Sequence, residues 1–160
     1  MNKQLNYHFQ AWKFHRGLAL DILKSLNDEQ LKLTVGKNMG TLGQQFRHIA
    51  KIELEYLDAI KSKKIDPKPD RLDKSLSESR DALLEVFSKT EQELAELLNS
   101  IDQDPENYII DWTHWDIKEM NLIDHIKALA DHNNLHNGEI IVYAKTNNIP
   151  FPKSWEPWGL

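Results

Sequence analysis

Apolar residues recur at the spacing of one helix face in four long segments of the chain, and this periodicity constrains the fold more than any other feature. No segment shows the sustained alternation of period two that a half-buried strand would need. The 160 residues are enough for one domain with a single core. The sequence therefore predicts an all-α protein: an antiparallel four-helix bundle that forms one domain over residues 1–160.

Capping residues and prolines mark the ends of the first two helices. The first is predicted over residues 4–26. The second opens with Thr41-Leu-Gly-Gln44, the pattern of a capping box, and continues to about Lys61. Pro67 and Pro69 then break the chain.

Similar signals delimit the third and fourth helices. The third is predicted to start at a second capping box, Ser75-Leu-Ser-Glu78, and to end before Asp104-Pro105. The fourth is capped at Asn121 and runs to about Asn147. Residues 106–120 between them are predicted to be a loop with a short extended piece.

The positions predicted to face the core share the helical spacing in each segment. They are Leu5, Phe9, Trp12, Ala19, Ile22, Leu23 and Leu26; Leu42, Phe46, Ile49, Tyr56, Leu57 and Ile60; Leu83, Phe87, Leu94, Leu97 and Ile101; and Leu122, Ile126, Leu129, Ile140 and Ala144. The C-terminal tail "FPKSWEPWGL" is rich in aromatic residues, so we expect it to pack back onto the bundle as a cover for the core.

Charge and cysteine content exclude several classes of function. The formal charge of −5 gives no general attraction to nucleic acid. The N-terminal segment has no apolar core of a signal peptide, and no apolar run is long enough for a membrane span. We therefore expect a cytoplasmic protein with neither a nucleic-acid nor a membrane partner. Cysteine is absent, which excludes a disulfide framework, a thiolate zinc site and a cysteine nucleophile.

Two histidines stand one helical turn apart in "DHNNLHNGEI", residues 131–140. On a helix, His125, His132, His136 and Glu139 fall within about 60° of one another. This polar stripe lies beside the apolar stripe of the fourth helix and not opposite it. The imidazoles are therefore predicted to point to the edge of the core, where a cleft between helices forms.

The second helix offers a third imidazole. His48 flanks the apolar stripe of "TLGQQFRHIAKIELEYL", and Glu53 lies in the middle of it. A carboxylate on an apolar face is costly unless a core partner or the surroundings of a metal pair with it. Neutral imidazoles from two facing helices suit a metal site with an open position. On spacing alone, the alternative stays open that each histidine is a half-buried polar residue bonded to a carbonyl or to solvent.

The other histidines and motifs give less information about function. His8 and His15, seven residues apart on the first helix, are interpreted as core or cleft-wall residues and not as ligands. The position of His114 in the loop is not fixed by any pattern. The sequence contains no Glu-x-x-His, His-Glu-x-x-His, GxGxxG, GxxxxGK[ST] or GxSxG motif, which removes di-iron, zincin, nucleotide-binding and serine-hydrolase interpretations.

These residues resemble the DinB-like (YfiT-like) superfamily of four-helix-bundle metalloproteins. "TLGQQFRHIAKIELEYL" is similar to its second-helix motif, and "HNNLHNGEI" to its fourth-helix motif. Position by position, the resemblance places the metal triad on His48, His132 and His136, with Glu139 as the acidic or amide residue after the glycine. Asn137 stands where the family often has arginine.

The resemblance implies a divalent ion such as zinc or nickel, a homodimer and a small-molecule substrate. It also implies a metal-dependent transferase that uses a low-molecular-weight thiol such as bacillithiol, mycothiol or glutathione. In that function Glu139 or Glu53 would orient a ligand imidazole or take a proton. Three tryptophans would wall the cleft and contact the cofactor: Trp112, Trp115 and Trp158.

Two alternatives to the transferase remain open at this point. One is a hydrolase in which the metal activates water and Glu139 acts as the base. The other is a non-catalytic metal-binding or small-molecule-binding protein, related to stress, in which the ion holds two helices together.

Overall fold

The computed structural model describes residues 1–67 and 72–160 of the chain, and within them the predicted four-helix bundle is confirmed. The helices are α1 (Lys3–Ser25), α2 (Leu42–Ser62), α3 (Arg80–Ser100) and α4 (Leu122–Thr146). The predicted inward positions are buried, except for three half-buried ones, Tyr56, Leu97 and Ile101. Pro69 lies outside the described residues. No helix in the described part of the chain has the length and apolar character needed to cross a bilayer.

The core has two parts, and their membership shows how the helices run. One part joins the C-terminal half of α1 to the N-terminal halves of α2 and α3 and the C-terminal half of α4. The other joins the opposite halves of the same helices. Helices α1 and α4 are therefore parallel to each other and antiparallel to α2 and α3. The connection from α2 to α3 must return along the bundle, and its Ile65 and Leu76 accordingly belong to opposite parts of the core.

Capping explains where the helices start. The predicted capping box at Thr41 is present, with Thr41 and Gln44 satisfying each other's backbone N–H groups. Asn121 caps α4 through the N–H of Asp124. The prediction for α3 was wrong, because Ser79 is its cap. Residues Lys74–Glu78 instead form a 3-10 turn, in which Ser75 donates its N–H to Asp73.

That 3-10 turn packs very closely on the start of α2. A Cβ added at Gly43 would lie 1.9 Å from the carbonyl oxygen of Ser77, so only glycine fits at this position of the helix. The close approach lets the returning connection lie against α2 and add Leu76 to the core.

A layer of buried polar groups separates the two parts of the core and draws on all four helices. Arg16 on α1 is 2% exposed and Glu53 on α2 is fully buried. Arg16 Nε lies 3.0 Å and 3.1 Å from the two carboxylate oxygens of Glu53, and its Nη1 lies 2.7 Å from Glu91 on α3. Asn133 on α4 donates to Glu53 at 3.0 Å. Each buried charge therefore has a partner of opposite sign.

Two short strands interrupt the predicted loop before α4. Strand β1 (Ile109–Asp111) pairs antiparallel with β2 (Glu119–Asn121), and Ile110 lies opposite Met120. The extended piece was predicted and is confirmed, whereas β2 was not predicted. The chain after α2 joins β1 as well, through a backbone bond from Ile65 to Asp111.

The aromatic tail packs on the bundle as predicted. It forms a 3-10 helix, Lys153–Trp158. Trp155 is buried with the core and donates its Nε1–H to the carbonyl of Leu18 at 3.1 Å. Trp158 is 57% exposed, so one of the two tail tryptophans covers the core and the other lies at the surface.

Candidate metal centre

Helices α2 and α4 bring three histidines together. His132 and His136 are one turn apart on α4, and the antiparallel α2 places His48 opposite them. One ring nitrogen from each residue lies within 4.8 Å of the other two. The ring centroids are 4.3 Å apart for the α4 pair, and 5.4 Å and 4.9 Å from His48. The three side chains that the sequence singled out therefore converge on one point.

The three histidines of the cluster differ in their exposure to solvent. His48 is exposed, His132 is half-buried and His136 is buried. Burial, together with the neighbouring His136 and His48, lowers the pKa of His132 to about 3. Burial also lowers the pKa of His48, and His136 and Lys51 add to that effect. His48 and His132 are therefore neutral at physiological pH, which is the form of imidazole that binds metals.

Glu139 holds the ring of His136 in place. Its Oε2 lies 2.5 Å from His136 Nδ1 and also accepts a hydrogen bond from Gln45 on α2. A proton on Nδ1 that is donated to the carboxylate leaves the lone pair on Nε2, which faces His132 Nε2 at 2.9 Å. A carboxylate bonded to the far nitrogen of a ligand imidazole is the usual partner of a metal-binding histidine.

The donor set fits a divalent ion of the zinc or nickel class. Three neutral imidazole nitrogens suit these borderline ions, and three protein ligands leave a position for an exogenous group. Among the described residues, the buried Nδ1 of His132 has no hydrogen-bond partner, and its Nε2 contacts only the facing Nε2 of His136. The exposed His48 places the open side of the cluster towards solvent.

Glu53 is not a free carboxylate at this centre. It is engaged by Arg16 and Asn133 in the buried layer. Burial raises the pKa of Glu53, whereas the Arg16 guanidinium and the Asn133 amide oppose that shift. Because Asn133 directly follows His132 in α4, the layer reaches the metal centre through the backbone of one helix.

His125 is separate from the triad, although it lies on the same predicted stripe. Its Nδ1 accepts from Trp112 Nε1 at 3.1 Å, and its Nε2 lies 3.0 Å from the carbonyl oxygen of Tyr56. Both ring nitrogens are therefore used inside the protein. Burial lowers the pKa of His125 to about 4.

The other histidines lie outside the cluster. His8 and His15 are half-buried on α1, and His114 is exposed. His15 lines a separate pocket between α1, α4 and the tail. Asn137 also turns towards α1, because its side chain donates to the carbonyl of His15 at 2.9 Å.

The structure places the three tryptophans at three different sites. Trp112 is buried beside His125 and Tyr56. Trp115 is 54% exposed and contacts His114. Trp158 contacts Phe14 on α1 and lines the separate pocket. The expected common wall of tryptophans is therefore not formed.

Sequence reasoning missed two residues, one at the centre and one in the buried polar layer. Gln45 precedes His48 by three residues on α2, but nothing in a single sequence distinguishes it from other surface glutamines. Arg16 left a usable signal: it falls on the apolar stripe of α1, between Trp12 and Ala19. Because Glu53 lies on the apolar stripe of the facing helix α2, it needed a cation as a partner.

Comparison with known proteins gives a consistent result. The model of the family described as "DinB family" matches residues 1–147. The solved structure of a DinB-like protein from Bacillus cereus has 21% sequence identity and a TM-score of 0.73, and the match covers 91% of this chain and 93% of that chain. At this identity the likeness shows the fold. No curated protein matches the chain.

Proposed function

This chain belongs to the DinB family, and from that premise we propose that it is a divalent-metal-dependent transferase that uses a low-molecular-weight thiol. The observation that carries the proposal is the convergence of the nitrogens of His48, His132 and His136 within 4.8 Å. The chain contains no cysteine, so the thiol would come from a small molecule of the bacillithiol, mycothiol or glutathione type.

His48, His132 and His136 would hold the ion, with zinc and nickel as the candidates. A bound ion of this kind supplies Lewis acidity, which stabilises a thiolate at neutral pH. The exposed side of the cluster at His48 gives the thiol and its reaction partner an approach from solvent. In the transfer, the thiol sulfur forms a bond to the electrophilic carbon, the leaving group departs with the former bonding pair, and the thiol proton goes to solvent.

The two carboxylates have positioning roles in this proposal. Glu139 orients the imidazole of His136 through the 2.5 Å contact at Nδ1. Glu53 is tied to Arg16 and, through Asn133, to the segment of α4 that carries His132. Because Glu139 is already engaged by His136 and Gln45, its contacts favour orientation of a ligand over the role of a general base in a hydrolase.

Metal content tests the site. Elemental mass spectrometry of tag-free protein is expected to find near-stoichiometric zinc or nickel. The triple variant His48→Ala, His132→Ala, His136→Ala should lose the ion, whereas His114→Ala, which removes an exposed histidine, should keep it. Glu139→Gln should weaken metal affinity about 10- to 100-fold without abolishing binding. Absence of metal in the parent protein after incubation with either ion would refute the proposal.

Turnover tests the reaction. Metal-loaded protein is screened against each of the three thiols with model electrophiles such as 1-chloro-2,4-dinitrobenzene, and with chelator-treated protein as the control. Metal-dependent and thiol-dependent product formation is the expected result. Turnover without added thiol would indicate the hydrolase instead. Loss of stability on chelation, without turnover of any pair, would indicate the non-catalytic alternative.

A further inference from the structure

A pocket of about 350 Å³ lies between α1, α4 and the C-terminal tail. This pocket is distinct from the metal centre. Successive residues of a helix are about 100° apart, so the α4 residues that line the pocket lie on the face of α4 opposite to His132 and His136; they include Gly138, Ile141 and Lys145. Its volume is at the lower end of the range of small-molecule sites.

Two polar side chains form part of the wall without offering a ligand a partner. Asn137 Oδ1 and His15 Nδ1 have no hydrogen-bond partner among the described residues, but each exposes less than 1 Å² of surface. Neither atom is therefore open to a ligand, and the other lining residues define the ligand class.

The walls and the charge of the pocket define the ligand. Trp155 and Trp158 come from the tail, and Leu18 and Ile141 come from the helices. Aromatic and aliphatic walls of this kind favour a flat apolar body.

Lys145 is the only formally charged side chain among the lining residues. It is exposed and has no ion-pair partner within 4.0 Å in the described part of the chain. A negatively charged group on the ligand would therefore be favoured at this edge of the pocket.

We propose that this pocket is a second binding site, for small aromatic monocarboxylates. The proposal goes beyond the metal-dependent function and does not depend on it. Indole-3-acetate has both features, an aromatic body and one carboxylate, and serves as the probe. 1-Naphthaleneacetate shares the two features, and tryptamine carries a cation in place of the carboxylate.

Isothermal titration calorimetry tests the proposal on the full chain, with and without chelator. Indole-3-acetate is expected to bind equally in both. 1-Naphthaleneacetate should bind with an affinity within about threefold of that value, and tryptamine should bind at least about fivefold more weakly. No binding of indole-3-acetate up to about 1 mM, equal binding of tryptamine, or loss of binding on chelation would each overturn the proposal.

Gly138 offers a variant that fills the pocket. A Cβ added there meets nothing within 4 Å, and glycine is a poor helix former, so Gly138→Leu should fold. It is expected to weaken binding of indole-3-acetate by more than about tenfold. Gly17→Leu is the matched control, because Gly17 is also helical, also has open space around it and does not line the pocket.

Lys145→Glu keeps the test decisive if Gly138→Leu does not fold. Lys145 is exposed, so its replacement leaves the core unchanged. Reversal of the charge is expected to weaken binding of indole-3-acetate by more than about fivefold. Unchanged affinity in either folded variant would overturn the proposal.

Discussion

At the scale of single residues, neighbours decide what a histidine of α4 does. His136 and His125 are both buried on the same helix. His136 gives one nitrogen to Glu139 and directs the other to the cluster. His125 uses both nitrogens within the protein, on Trp112 and on the backbone of Tyr56. The first is arranged as a ligand and the second as a structural residue.

The environment of His125 predicts a pH dependence of stability. Folding lowers its pKa from 6.5 to about 4, because the burial that disfavours the charged ring outweighs the hydrogen bond with the Tyr56 carbonyl. Between these two values the unfolded chain binds the proton more readily. Stability is therefore highest above pH 6.5 and falls as the pH decreases towards 4, by about 3 kcal/mol from this residue.

Urea unfolding at a series of pH values, with chelator present, measures this dependence. The stability advantage of the parent protein over His125→Gln should shrink as the pH falls from 7 to 4. His114→Gln, at an exposed position, should differ from the parent by a small constant amount. An advantage of His125 that stays constant over this range would contradict the assignment.

How far the sequence predicts residue roles depends on what each residue touches. The triad follows from helical spacing and motif resemblance, because its members are fixed by their own helices. The roles of Gln45 and of the tryptophans depend on where loops and neighbouring helices lie. A single sequence does not carry that information.

At the scale of elements, the caps are local signals, and two of the three predicted ones are correct. Thr41 and Asn121 bond within their own first turns. The third prediction was wrong because Ser75 and Ser79 are both possible N-caps only four residues apart. The contact with α2 holds Lys74–Glu78 as a 3-10 turn, so Ser79 is the residue that caps α3. The strand β2 escaped prediction since three residues are too few to show alternation.

The contact between Gly43 and Ser77 predicts a large effect from a small substitution. Gly43→Ala would place a methyl group 1.9 Å from a backbone oxygen, so the 3-10 turn must move away and Leu76 must leave part of the core. We expect a loss of about 3 kcal/mol in the free energy of unfolding, measured by urea denaturation.

Gly17→Ala provides the control for that substitution. Its added Cβ meets nothing within 4 Å, and alanine is the better helix former, so it should stabilise by about 0.5–1 kcal/mol. Equal stabilities of the Gly43→Ala and Gly17→Ala proteins would show that the 3-10 turn does not rest on α2.

At the scale of the whole molecule, we expect a homodimer. Leu135 and Val142 lie seven residues apart on the outer face of α4 and are 64% and 51% exposed. One helix face that carries such a stripe can pack on its own copy about a two-fold axis. Sedimentation velocity should give a dimer for the parent protein and a monomer for the Leu135→Lys, Val142→Lys double variant.

An exposed aromatic residue elsewhere provides the comparison for the dimer. Tyr7 on α1 is 70% exposed, and Tyr7→Lys should leave the dimer intact. A parent protein that sediments as a monomer at all concentrations, or a double variant that remains dimeric, would contradict this expectation.

The bundle itself could be predicted because the sequence of each helix shows amphipathic periodicity. The directions of the helices were harder to predict. They depend on how the connection from α2 to α3 returns along the bundle, and helical periodicity carries no information about that connection. The two parts of the core record that return.

The buried polar layer has a consequence for anyone who would recombine this protein with its relatives. Each helix contributes one group to it: Arg16, Glu53, Glu91 and Asn133. A shift of any helix by one turn moves its group by about 5.4 Å, beyond hydrogen-bonding distance. A shift of α1 or α2 separates the buried Arg16 from Glu53, and a shift of α3 or α4 removes the bond from Glu91 or Asn133. The four helices are therefore not interchangeable modules. A chimaera keeps the relative positions of the four helices only if all four of these residues come from the same parent protein.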